Sequence, residues 1–284
     1  MDVRHRLPAE DLKVDLDSFQ PWLSQWRLTP ERAPFETRFG SKLVAVSFEG
    51  APAMLKIASG AEEWRGAEIL AWFAGEGAVR VLAREGPALL MERAQGSRSL
   101  AAMARGDQDD EAMRILCSAA AGLHRPRGAA PPASLVPLEV WFRDLLGSAG
   151  SRGGIFEASW ATARSLLAAP RDVRPLHGDL HHDNVLDGGV RGWLSIDPKG
   201  LVGETGFDYA NIVCNPGLDV SGPPGVLARR VRIVCDETGF DPRRFLGWVL
   251  AWTGLSAAWT LNAGGDASPA LAIARSAQAE LSRF

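Results

Sequence analysis

From Phe35 onward, apolar and polar positions alternate with period two. Lys42-Leu43-Val44-Ala45-Val46-Ser47-Phe48 reads as a strand, Glu49-Gly50-Ala51-Pro52 as a turn and Ala53-Met54-Leu55-Lys56-Ile57 as its partner. Ala61 to Ala74 switches to helical spacing, and Val79 to Ala83 and Ala88 to Glu92 form a second hairpin around Glu85-Gly86-Pro87. A short helix capped by Asp17 or Ser18 and stopped by Thr29-Pro30 comes first. Residues 1–93 are therefore expected to form a small antiparallel sheet with one inserted helix.

Ala94-Gln95-Gly96-Ser97 reads as a hinge, and residues 94–284 as a larger, mainly helical lobe. The periodicity predicts helices over Leu100–Arg105, Asp109–His124, Leu138–Leu146, Phe156–Leu167, Asp208–Cys214, Pro224–Thr238, Pro242–Leu261 and Ser268–Leu281. Short strands at Val173–Leu176, Val185-Leu186 and Trp193–Ile196 interrupt them, with Asp187-Gly188-Gly189 as a hairpin turn. The fold class is α+β, with the cleft at the hinge.

Composition narrows the function. The 284 residues are 46% hydrophobic and 23% charged, which excludes disorder. Thirty-one Lys and Arg against 34 Asp and Glu give a net charge of −3, which argues against nucleic acid as an obligatory partner. Three scattered cysteines and a charged start with no apolar run point to a reducing, cytoplasmic setting without a signal peptide. Phe245 to Gly265 carries no charge, yet its polar and glycine positions read as a buried core helix, not a membrane span. No obligatory protein partner is evident.

The chemistry concentrates in LHGDLHHDNVL, Leu176 to Leu186. His177, Asp179, His181, His182 and Asp183 resemble one half of a zinc hydrolase site, but no histidine follows His182 to complete it. Phosphoryl transfer fits better. Asp179 and Asn184 have the D-x-x-x-x-N spacing of a kinase catalytic loop, and Asp197 follows an apolar strand where the metal-binding Asp of a kinase lies. Asp179 would take the acceptor hydroxyl's proton, and Asn184 and Asp197 would hold Mg²⁺. Lys56, in the middle of an apolar strand, would meet the phosphates of ATP, with Glu62, Glu63 and Glu68 available to pair with it. The backbone of Gly40 and Ser41 would help.

These blocks, with EILAWFAGEGAVRVL, ALLMERA and IDPKGLVGETGFDYANIVCNP, resemble the aminoglycoside/hydroxyurea antibiotic-resistance kinases, whose type member phosphorylates streptomycin at its 6-hydroxyl. The resemblance implies a bilobal protein-kinase-like fold and Mg-ATP. It places Asp179 on the base, Asn184 and Asp197 on the metal ligands, Lys56 with Glu68 on the phosphate-anchoring pair, and Glu92 to Ala94 on the adenine-binding hinge. Gly178 stands where protein kinases carry Arg, and Pro198-Lys199 where they carry Phe-Gly. The glycine-rich loop is missing, so Arg38-Phe39-Gly40-Ser41 must cover the phosphates with one glycine.

Around this core, His177 is expected to bond the loop backbone, and His181 and His182 to pack and line the cleft. Asp208 is expected to cap its helix and brace the catalytic loop. With Asp183 and Glu204 it also supplies carboxylates for a cationic small-molecule hydroxyl acceptor. A metabolic kinase acting on choline, homoserine or a sugar would keep every catalytic residue and change only the acceptor pocket.

Overall fold

The computed structural model describes residues 14–37, 40–223 and 225–284, without the side chains of residues 218 and 219. The expected absence of a signal peptide and the Arg38-Phe39 part of the phosphate turn lie outside the described residues.

A short 3₁₀ turn at Leu16–Phe19, capped by Asp15 and not by Asp17 or Ser18, leads into α1 (Gln20–Gln25). Strands β1 (Thr29–Pro30), β2 (Phe35–Glu36), β3 (Lys42–Phe48) and β4 (Ala51–Ile57) follow, then helix α2 (Ala61–Phe73) and strands β5 (Val81–Glu85) and β6 (Ala88–Glu92). They form one antiparallel sheet in the order β1-β3-β4-β6-β5, with β2 also on β3. The β3–β4 turn is tighter than expected. Glu49 and Gly50 both take positive φ, 51° and 79°, so a two-residue turn of the kind that suits the twist of a hairpin leaves Ala51-Pro52 inside the strand.

Period-two alternation sorts the faces of β4. Ala53 and Leu55 join Val44, Val46, Ala88 and Leu90 under Phe19 and Leu23, forming a small core on the outer face. Lys56 must then point to the inner face, toward the rest of the molecule, and it is 6% exposed there.

The remaining chain carries α3 (Leu100–Arg105), α4 (Asp109–Leu123), β7 (Val136–Pro137), α5 (Leu138–Trp141), α6 (Arg143–Arg152), α7 (Ile155–Ala168), β8 (Val173–Leu176), β9 (Val185–Asp187) and β10 (Trp193–Ser195). After these come β11 (Leu201–Glu204), α8 (Gly206–Cys214), α9 (Leu218–Ser221), α10 (Val226–Thr238), α11 (Pro242–Asn262) and α12 (Ser268–Leu281). The uncharged run from Phe245 lies in α11, buried from Phe245 through Ala258, with α6, α7, α8, α10 and α12 packed around it. Among the described residues, no helix is long and apolar enough to cross a membrane.

Strand β11 was not expected. It pairs antiparallel with β8 and parallel with β7. Gly203 interrupts its apolar pattern because a Cβ there would lie 2.4 Å from the Leu138 side chain. Together β8, β9, β10 and β11 fix both ends of the two polar segments, 177–184 and 196–200.

Helix α2 rides directly on the second of these segments. A Cβ at Gly66 would fall 2.2 Å from the Pro198 carbonyl oxygen. Gly66→Ala should therefore lower the melting temperature, despite alanine's intrinsic helix advantage of about 1 kcal/mol. Thermal denaturation checks this, and a higher melting temperature would contradict the contact.

Candidate active site

The inner face of β4 brings Lys56 against two carboxylates. Its Nζ lies 2.7 Å from Asp197 Oδ1 and 3.3 Å from Glu63 Oε1. Burial alone would lower the lysine's pKa, but the two carboxylates outweigh it and hold the ammonium above its ordinary value. Burial likewise pushes Asp197 up, and Lys56, with smaller contributions from Lys199 and His177, reverses this, keeping the carboxylate below its usual range. Asp197 takes a left-handed backbone, φ 56°, which turns its side chain back toward β4.

The partner of Lys56 is Glu63, not Glu68. Five residues apart on a helix, the two are separated by about 7.5 Å along the axis and about 140° around it, so only one can face the strand. Glu68 instead accepts a hydrogen bond from Ser134 Oγ and lies 3.8 Å from Arg84. Glu63 is further oriented by Ser59 N–H, at 2.8 Å, and by the Ser41 hydroxyl.

The catalytic-loop candidate is held by a fully buried carboxylate. Asp208 accepts the backbone N–H of His177 at 2.9 Å and of Gly178 at 2.7 Å, and meets His124 Nε2 at 2.9 Å. Burial raises its pKa, but the hydrogen bond and charge of His124 lead the interactions that bring it below the ordinary carboxylate value. The expected brace is therefore present, although Asp208 lies in the first turn of α8 and does not cap it. His177 is buried and its pKa lowered by desolvation. Its Nδ1 accepts the Asp179 N–H at 3.2 Å, which leaves Nε2–H to donate to the Ile196 carbonyl at 2.8 Å.

Asp179 is thereby held at the end of this turn with its carboxylate partly exposed. Asn211 Nδ2 reaches its Oδ1 at 3.3 Å, and Lys199 Nζ lies 3.9 Å from its Oδ2. Asn184 donates Nδ2 to the Asp179 carbonyl at 2.8 Å, so its Oδ1 is free of that bond. One carboxylate, Asp197, and one amide oxygen, Asn184, are hard oxygen donors of the kind Mg²⁺ uses when substrate phosphates and water complete its shell. Among the described residues, no group of three His, Cys, Asp or Glu could bind a metal by itself.

Comparison with known proteins agrees with this chemistry. The model of the aminoglycoside/hydroxyurea antibiotic resistance kinase family matches residues 25–264. The chain is 50% identical over 247 residues to a streptomycin 3″-kinase of Klebsiella pneumoniae, covering 85% of this chain and 92% of that one. It belongs to this kinase family. A streptomycin 6-kinase of Streptomyces griseus is 33% identical over 76% of this chain and 73% of that one. In fold, the chain resembles a choline/ethanolamine kinase family protein from Mesorhizobium loti, with a TM-score of 0.63, 16% identity and 93% coverage of each chain. It also resembles an aminoglycoside phosphotransferase in complex with ADP and hygromycin B, with a TM-score of 0.58, 13% identity and coverage of 93% of this chain and 96% of that one. The kinase is thus a phosphotransferase with an alcohol acceptor, on a protein-kinase-like fold.

Several sequence-assigned contacts of this kinase fall elsewhere in the structure. Glu204 does not face an acceptor. It is buried at the end of β11, where it accepts hydrogen bonds from Arg244 Nε and Trp248 Nε1, at 2.8 and 2.7 Å, and from the Arg171 N–H at 2.7 Å. Asp208, spent on the loop, is likewise unavailable to substrate. Of the three acceptor carboxylates only Asp183 is exposed. The amides of Gly40 and Ser41, expected to cradle phosphate, are bonded within their own turn, to the Thr37 carbonyl at 2.9 Å and to Thr37 Oγ1 at 3.2 Å. At the hinge, the Glu92 carboxylate accepts the Arg80 N–H at 2.7 Å and pairs with Arg191, while the Ala94 N–H meets no acceptor among the described residues. His182 is buried with neither ring nitrogen hydrogen-bonded among the described residues, and desolvation holds its pKa well below the ordinary value.

Because the buried Glu204 carboxylate satisfies the half-buried Arg244 guanidinium and the buried Trp248 indole, Glu204→Gln should destabilise the fold by about 1–3 kcal/mol. The KM for the acceptor should stay within about twofold in the protein that remains folded. Urea denaturation with steady-state kinetics decides between this and a substrate contact, which would raise KM at unchanged stability.

Proposed function

We propose that residues 1–93 are the ATP-binding lobe and residues 94–284 the catalytic and acceptor lobe of a cytoplasmic kinase that phosphorylates streptomycin on its 3″-hydroxyl. The observation that carries the acceptor is the 50% identity to a streptomycin 3″-kinase, spread over 92% of that protein. The 6-kinase, at 33%, supports the other hydroxyl less. The three cysteines are free thiols, in keeping with a reducing compartment.

In this reading the hinge backbone at Glu92 and Ala94 meets adenine and Lys56 meets the phosphates. Bound Mg²⁺, held by Asp197 and the Asn184 amide oxygen, supplies positive charge that offsets the phosphate oxygens. Asp179 accepts the proton of the acceptor hydroxyl as its oxygen bonds to the γ-phosphorus, and the electron pair of the broken P–O bond leaves with ADP. Asn211, 3.3 Å from Asp179 Oδ1, keeps that carboxylate aimed. Exposed Asp183 offers a carboxylate to a guanidinium of the acceptor, an interaction that weakens as salt rises.

The test is ADP release with Mg-ATP over a panel of acceptors, with phosphorus-proton NMR of the product. Streptomycin should turn over fastest and carry the new phosphate on the 3″ oxygen. Asp179→Asn should lower kcat by at least about 100-fold while leaving nucleotide affinity intact. Faster turnover of choline, homoserine or a neutral sugar would overturn the acceptor, and a loss under about tenfold would overturn the base.

A further inference from the structure

Phosphoryl transfer gathers negative charge on three equatorial oxygens, and a cation beside them is worth orders of magnitude in rate. The segment that presents the base, Leu176 to Leu186, contains no lysine or arginine. Lys56 is already engaged by Asp197 and Glu63. A second cation has to come from elsewhere, and the structure places one next to the base.

Lys199 is 8% exposed. Its N–H donates to the His177 carbonyl at 2.6 Å, which ties its Cα to the catalytic loop. Its Nζ lies 3.1 Å from Glu62 Oε1 and 3.9 Å from Asp179 Oδ2. The stem fills the space beside Gly178, where an added Cβ would come within 3.1 Å of Lys199 Cβ and 2.8 Å of Leu201. Gly178 in the protein-kinase arginine position thus accommodates a lysine that approaches from the neighbouring segment.

We infer that Lys199 is a catalytic residue that donates to the γ-phosphate of ATP as it transfers. A hydroxyl within hydrogen-bond reach of Asp179 places the attacked phosphorus about 3–3.5 Å beyond it. The oxygens on that phosphorus then lie within the swing of a four-carbon stem whose ammonium already stands 3.9 Å from the base. Glu62 is a resting partner. Its side chain is 38% exposed, so solvent screens the pair and a phosphate dianion outcompetes it. The three N–H donors of Lys199 supply positive charge beside the base, in addition to that of Lys56.

This rests on the phosphotransferase reading but not on the choice of acceptor, so its main test uses nucleotide alone. Calorimetry should show Lys199→Met weakening Mg-bound AMP-PNP by about tenfold and leaving Mg-bound ADP within twofold, because only the γ-phosphate is contacted. With a working acceptor, kcat should fall by at least about 100-fold while the acceptor KM changes by less than threefold. Lys199→Arg, which keeps a cation, should recover part of both. Glu62→Gln frees the lysine and should leave both readouts within threefold of wild type. Should the methionine variant fail to fold, Lys199→Gln carries the same comparison. Equal loss of AMP-PNP and ADP, unchanged AMP-PNP affinity, or a Glu62→Gln variant as impaired as Lys199→Met would each overturn the proposal. The last result would mean that the lysine only anchors α2. Failure of every acceptor to turn over would instead count against the proposed function and leave the nucleotide comparison standing.

Discussion

The ion pair between Lys56 and Asp197 joins residues 141 positions apart and is the point on which the two halves of the molecule converge. One partner stands on the inner face of the antiparallel sheet, the other at the exit of a short strand in the helical half. Each favours the charged form of the other, and Lys56 keeps Glu63 as a second carboxylate partner. Glu63 completes the group by bringing the first turn of α2 onto the same ammonium. Gly66 lets that helix settle on Pro198, which sets how deeply Glu63 reaches. A phosphate chain and a divalent ion entering here would meet a lysine already aimed and a carboxylate already charged. The site therefore pays little reorganisation when its ligand arrives.

A second buried carboxylate does for the loop what this pair does for the cleft. Asp208 takes two successive backbone N–H groups and the His124 imidazole, so the turn carrying Asp179 has little freedom. His177 then links that turn to the Ile196 carbonyl next to Asp197, and Asn184 bonds back to the Asp179 carbonyl. The base, the two candidate metal donors and the lysine pair are thus connected by short hydrogen bonds through three separate stretches of chain. These bonds run through backbone groups, whose positions the sheets and helices already fix.

Much of this was legible in the sequence because it is local. Strand alternation placed Lys56 within β4, and the spacing of Asp179, Asn184 and Asp197 needed no knowledge of the fold. What was not legible depended on distant partners or on helical phase. Glu63 and Glu68 are equally plausible from composition, and only the docking of α2 through Gly66 onto Pro198 decides which faces the strand. Glu204 was read as an acceptor contact because Arg244 and Trp248 lie 40 or more residues away on another helix. The Gly40 and Ser41 amides were expected to be free because the Thr37 bonds that occupy them depend on the β2–β3 turn. Strand β11 escaped notice because Gly203, needed for the approach of Leu138, interrupts its apolar pattern.

The claim that Asp197 and Asn184 hold a metal ion against a nucleotide anchored by Lys56 is tested most directly by the metal dependence of binding. AMP-PNP should be titrated by calorimetry into wild type and Asp197→Ala, each with magnesium and with a chelator. Removing Asp197 also frees Lys56 to attract phosphate, so the informative quantity is the ratio of the two affinities, not either one alone. Magnesium should tighten binding at least about tenfold in wild type and leave it unchanged in the variant. A variant whose affinity still rises with magnesium as in wild type would contradict it.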